Sequence, residues 1–137
     1  MNALAFLSSS LLVALGGAVG AWLRFLTTRG FAAALGPSAA GFPYATLSVN
    51  VLGSLAMGLL TGWLTRHGLC RPGDEQWRLL LGVGVLGGFT TFSAFSLEIA
   101  LMIERGALGQ AAIYVSISLA AGVAALFGGI ALMRALA

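Results

Sequence analysis

Charge is what this chain has least of. Only 8% of its 137 residues are charged, against 59% hydrophobic, and the mean hydropathy is +1.00. A soluble domain carries roughly 25% charged residues, so a water-facing surface cannot be built from this composition. Disorder is excluded by the same shortage, because disordered chains are polar and charged. Lysine is missing altogether: the 7 basic residues are all arginine, set against 4 acids, for a net charge of +3. That excess is small and scattered, which argues against nucleic acid as a partner despite the high isoelectric point. Cys70 is the single cysteine, which excludes an intrachain disulfide and any cysteine-cluster metal site. His67 precedes it by three positions with no further ligands nearby, and zinc takes about four. Both are read as ordinary loop residues. What remains is an all-α membrane protein, residues 1–137 forming one transmembrane domain.

The few charges mark out the spans. Met1 to Leu23 carries none, then Arg24 and Arg29 follow. Gly30 to Thr65 is uncharged again but too long for one helix, and Gly36-Pro37 and Pro43 resist helix continuation. Arg66, His67, Arg71, Pro72, Gly73, Asp74 and Glu75 make a polar loop. Leu79 to Leu97 and Gly106 to Met133 are the third and fourth uncharged runs. About 20 apolar residues cross the hydrocarbon core, so four transmembrane helices are expected, near 3–26, 43–65, 77–103 and 107–134. The N-terminus has small residues behind an apolar run but lacks the basic region of a signal peptide, so it is read as a span.

Orientation follows arginine asymmetry between the two membrane faces. One face would hold Arg66, Arg71, Arg78 and Arg134, the other Arg24, Arg29 and Arg105. Two readings stay open: a noisy count with Arg78 inside a helix end, or a chain that inserts both ways and pairs antiparallel. Four short helices leave little room for a wide internal pathway, and Gly16/Gly20, Gly58/Gly62 and Gly84/Gly88 have the spacing that lets helices approach closely. Tight packing within and between subunits is the expectation.

Polar residues stand where they are expensive. Thr46, Asn50 and Ser54 fall at i, i+4, i+8 on one face of the second span, and Gln110, Tyr114 and Ser118 do so on the fourth. Such stripes either hydrogen-bond neighbouring helices or line a polar pathway. Asn50 is the costliest member, since an unpaired amide in hydrocarbon loses several kcal/mol. In the third span Gly82, Gly84, Gly87 and Gly88 lead into Phe89-Thr90-Thr91-Phe92-Ser93-Ala94-Phe95-Ser96, with Glu98 beyond. Paired glycines and paired threonines weaken a helix. A break there is tolerated only where the freed backbone lines a cavity or meets an ion. Phe92 and Phe95 share a face; they are packing residues, or rings whose electropositive edges suit a small dehydrated anion.

At this point the chain resembles the Fluc (CrcB) family of bacterial fluoride channels. The likeness runs from Gly16-Gly17-Ala18-Val19-Gly20-Ala21-Trp22-Leu23-Arg24, through Ala45-Thr46-Leu47-Ser48-Val49-Asn50-Val51-Leu52-Gly53, to Gly87-Gly88-Phe89-Thr90-Thr91-Phe92-Ser93-Ala94-Phe95 and the fourth span. The resemblance implies an antiparallel dual-topology homodimer in the bacterial cytoplasmic (inner) membrane, its third helix broken at mid-membrane. It implies passive, fluoride-selective export that protects against fluoride toxicity. It further implies a structural sodium ion at the dimer centre, held by backbone carbonyls at Gly87 and Thr90. Asn50, Phe92 and Phe95 would serve the fluoride pathway together with Thr46, Ser93, Tyr114 and Ser118, with Arg24 at a vestibule and Glu98 an acid near the pathway. Ala94 and Gly122 depart from the family pattern, and each removes a side-chain donor.

Two other functions compete. A small multidrug-type proton-coupled transporter has the same size and span count, but it needs a carboxylate in the first span, and Met1 to Leu23 contains no acid. A non-transporting membrane scaffold would place its polar residues on no common face, which the two stripes contradict. No enzyme reading survives, because no nucleophile, base and orienting group lie together in the sequence.

Overall fold

The computed structural model describes residues 3–36, 41–66 and 74–136, with the side chain of Arg66 excepted. His67, Cys70, Arg71, Pro72 and Gly73 lie outside the described residues, as does Pro37, whereas Asp74 and Glu75, expected in the same loop, already stand in the first turn of a helix. Among the described residues four helical stretches are long and apolar enough to cross a membrane: Ala3–Leu35, Tyr44–Thr65, Asp74–Glu104 and Leu108–Ala135. The first is α1 (Ala3–Leu35), and the second is α2 (Tyr44–Arg66), which starts directly behind Pro43. The third stretch is composite. It runs as α3 (Asp74–Trp77), a π-helical segment (Arg78–Leu86), α4 (Gly87–Phe89) and α5 (Phe92–Glu104), and α6 (Leu108–Ala135) follows.

Helix α1 continues past residue 26, where the charge pattern ended the first span. A helix stops at a breaker, and none occurs before Gly36. At about 1.5 Å per residue α1 is about 50 Å long, more than a hydrocarbon core of about 30 Å requires. The Thr27 and Thr28 hydroxyls donate back to the Leu23 and Arg24 carbonyls, so polar side chains near Arg24 and Arg29 are satisfied within the helix.

Two close pairings build the bundle: α2 along α6, and α1 along the π-helical segment and α4. Both rest on glycine. A methyl at Gly20 would overlap the Val85 carbonyl, and one at Gly16 the Leu80 carbonyl. Gly58 sits equally tight on Leu126, and Gly129 approaches Leu55. The glycine pairs seen in the sequence thus serve packing inside one chain. The π-helical segment has no counterpart in the sequence expectations: its last turn is closed by the Gly87 N–H donating to Gly82, five residues back. The missing side chain at buried Gly84 brings this backbone against Val13 and Gly16 of α1, while buried Gly82 faces Leu60 and Met57 of α2.

The connection from α5 to α6 is short because Gly106 adopts φ +77°, the left-handed conformation a helix C-terminus favours. Gly106 N–H donates to Ile103 at 2.9 Å and Ala107 N–H to Met102 at 2.8 Å, so two end carbonyls are satisfied in one turn. The two helices enclose a cluster of Phe95, Met102, Ala111 and Tyr114, with Phe42, Leu47 and Ile99 packed around it. Most other large apolar side chains, including Leu4, Leu11, Leu15, Trp22, Ile113, Leu119 and Phe127, face outward. That is the inverse of a soluble bundle, and it suits lipid.

Candidate functional site: the interruption at Thr90 and Thr91

Between α4 and α5 the backbone leaves the helix for two residues. Thr90 takes φ −76°, ψ 158° and Thr91 φ −151°, ψ 118°, both extended. In a continuous helix the Thr91 N–H would bond the Gly87 carbonyl and the Ala94 N–H would bond that of Thr90. Neither does so. The Thr91 N–H goes to Asn50 Oδ1 at 2.8 Å, and the Ala94 N–H to Thr91 Oγ1 at 3.2 Å. Asn50 Nδ2 also donates to the Thr91 carbonyl at 3.1 Å, so one side chain of α2 pairs with both backbone groups of one residue. Thr91 meanwhile caps α5, as threonine commonly does at a helix start.

The expected stripe residues fall into two groups around this point. One turn before Asn50 on α2, Thr46 donates to Glu98 Oε1 at 2.6 Å, and Tyr114 of α6 donates to Glu98 Oε2 at 2.7 Å. The Glu98 carboxylate is therefore held between two hydroxyls from two different helices. Tyr114 is fully buried, and its ring lies 5.1 Å from that of Phe95 and 5.4 Å from that of Phe42. Ser54 lies on the other side of Asn50, in an open groove of about 330 Å³ lined also by Asn50, Gly53, Gly87, Thr90 and Phe92. Ser118 Oγ on α6 is buried and has no hydrogen-bond partner among the described residues. A Cβ at Gly122 would come within ordinary contact of Ser54 Oγ, at 3.6 Å, so the missing side chain leaves space there.

The two phenylalanines are neighbours with opposite surroundings. Their ring centroids are 5.8 Å apart, yet Phe92 is 78% exposed and Phe95 only 8%. Ser93 is exposed and lies 3.3 Å from Thr91 Oγ1. Gln110, a member of the fourth-span stripe, is exposed and meets Arg105 at 3.4 Å instead of joining Tyr114. Arg24 reaches from α1 to the interruption, where Nη1 donates to the Thr90 carbonyl at 3.2 Å.

A family profile described as CrcB-like protein, Camphor Resistance (CrcB), matches residues 11–130. The chain belongs to the CrcB family. Within it, the chain is 53% identical over 131 residues to a protein of Novosphingobium aromaticivorans named fluoride-specific ion channel FluC, covering 96% of this chain and all of the relative. It is 56% identical over 124 residues to the FluC of Phenylobacterium zucineum, covering 90% of this chain and 94% of that one. With the FluC of Erythrobacter litoralis the identity is 51% over 136 residues, 98% of both chains. The CrcB match thus takes in Asn50, the Thr90-Thr91 interruption, Glu98 and Tyr114 together.

Sequence reasoning singled out Asn50, Arg24 and the aromatic pair but missed what Thr91 does. The signal was present: a threonine three residues ahead of Ala94, at the start of an apolar helical run, has the spacing of an N-cap. The partners of Asn50 and Arg24 were not legible, because both are backbone groups exposed only by the departure from helix.

Proposed function

We propose that this CrcB-family chain is a fluoride-selective channel, exporting fluoride passively across the bacterial cytoplasmic membrane and so protecting against fluoride toxicity. The observation that carries the reading is its identity of more than half, over nearly the whole chain, with proteins named fluoride-specific ion channel. It is a multi-pass membrane protein, a channel and not an enzyme.

The physical demand is to replace the water around a small, strongly hydrated anion. Hydroxyl donors at Thr46, Ser93, Tyr114 and Ser118, the remaining N–H of Asn50, and the ring edges of Phe92 and Phe95 are suited to that task. Ser118 Oγ, buried without a partner among the described residues, has a donor to offer. Glu98 is the acid beside this path, already accepting from Thr46 and Tyr114. With the interruption at mid-membrane, the freed backbone would line a cavity, the one place where non-helical backbone is tolerated at that depth.

The working unit in this reading is an antiparallel, dual-topology homodimer, with the groove at the interruption turned to the partner. A structural sodium ion at the dimer centre fits the donors present. The Gly87 carbonyl has lost its helical N–H to Asn50, the Thr90 carbonyl has lost its own to Thr91, and both residues line the groove. Carbonyl oxygens of this kind replace the hydration shell of a monovalent cation. One chain would supply Gly87 and Thr90, and a second copy would complete the set. Bound there, sodium would supply positive charge to two carbonyls that have lost their helical N–H donors, the Thr90 carbonyl already accepting from Arg24 Nη1.

Growth tests the function in cells. Bacteria stripped of their own fluoride export should regain growth in inhibitory fluoride when this chain is expressed. No rescue by protein confirmed in the membrane would contradict the reading.

A further inference from the structure

The Thr90 carbonyl is claimed by two cations. The interruption removes its helical partner, since the Ala94 N–H turns to Thr91 Oγ1, and Arg24 Nη1 takes its place at 3.2 Å. Yet Thr90 is one of the two carbonyls assigned above to sodium. A carbonyl oxygen has two lone pairs and can accept twice, but two positive charges on one oxygen repel at short range. Arginine cannot relieve this by losing its proton. Arg24 is partly buried on α1, which packs against α4, and its guanidinium sits beside the carbonyl where the ion would bind.

We propose that Arg24 is a tethered cation of the interruption, a positioning residue that holds the Thr90 carbonyl when sodium is absent and opposes sodium binding when it is present. It thereby sets the sodium concentration at which the dimer centre fills. A vestibule role alone would leave sodium binding indifferent to Arg24. This inference rests on the sodium reading above, and the experiment separates the two.

The experiment is thermal melting of the purified full-length protein in detergent, with sodium titrated against N-methylglucamine at constant ionic strength. The wild-type melting temperature should rise with sodium to a plateau. In Arg24→Gln the sodium-free protein should melt lower, because the Thr90 carbonyl has lost its donor, while the sodium midpoint falls about tenfold. Arg24→Lys keeps the charge without the fork, so its midpoint should stay within about twofold of wild type. It also serves as the test if the glutamine variant does not assemble: a tenfold tightening with the charge retained would overturn the inference. Sodium-dependent melting with the same midpoint in wild type and Arg24→Gln would overturn the Arg24 role alone. Wild-type melting indifferent to sodium would remove the sodium site and this inference with it.

Discussion

Asn50 gives both ends of its amide to one residue, Thr91, at 2.8 and 3.1 Å. The pairing copies what a neighbouring strand would offer an extended residue, and it explains why an amide is tolerated in an apolar span. Replacing Asn50 by alanine leaves a backbone N–H and C=O unpaired, at a cost of about 3 kcal/mol. Asn50→Ala should therefore lower both unfolding stability and fluoride flux. Asn50→Asp keeps an acceptor for the Thr91 N–H but sets a carboxylate against the Thr91 carbonyl, so it should lose flux as well. Wild-type melting and flux in Asn50→Ala would detach Asn50 from the interruption. The phenylalanines divide differently. Phe92→Ile should reduce flux with little change in stability, because that ring is 78% exposed, whereas buried Phe95→Ile should also cost about 1 kcal/mol. Unchanged flux in both would make the rings packing residues. The sequence pointed to these side chains by residue type and spacing, but not to their partners.

The elements were legible to different depths. Four spans followed from the gaps between arginines, because charge is the one thing hydrocarbon excludes. The π-helical segment Arg78–Leu86 was not legible, since its residues read equally well as an α-helix. What sets it apart is the close approach of α1, a tertiary cause. Glycine spacing marked the contact surfaces, although it could not say that Gly16 and Gly20 meet the backbone of the same chain at Leu80 and Val85. This yields a paired test. Gly20→Ala should push α1 off the π-helical segment, destabilising the fold by about 1–3 kcal/mol or more. Gly17→Ala, whose methyl meets nothing within 4 Å, should leave melting unchanged. Equal melting temperatures for both variants would mean the α1 contact is looser than described.

At the scale of the whole molecule, outward-facing apolar side chains suit lipid, and the proposed dual topology rests on a sequence expectation that divides the arginines four and three between the two faces. A reporter fused behind α6 should accordingly be found on both sides of the membrane. Three arginines added between Arg66 and Asp74 should drive one orientation and silence the chain. Co-expression with a chain biased by arginines beside Arg29 or Arg105 should restore export. A wild-type reporter confined to one side would end the dual-topology proposal without touching the transport claim. That claim is tested most directly by ion efflux from liposomes holding the purified protein, with fluoride and chloride measured in parallel and the proton gradient collapsed. The account predicts fast fluoride loss down its gradient and no chloride loss above that of protein-free liposomes. Chloride efflux comparable to fluoride, or fluoride efflux only when a proton gradient is restored, would contradict it.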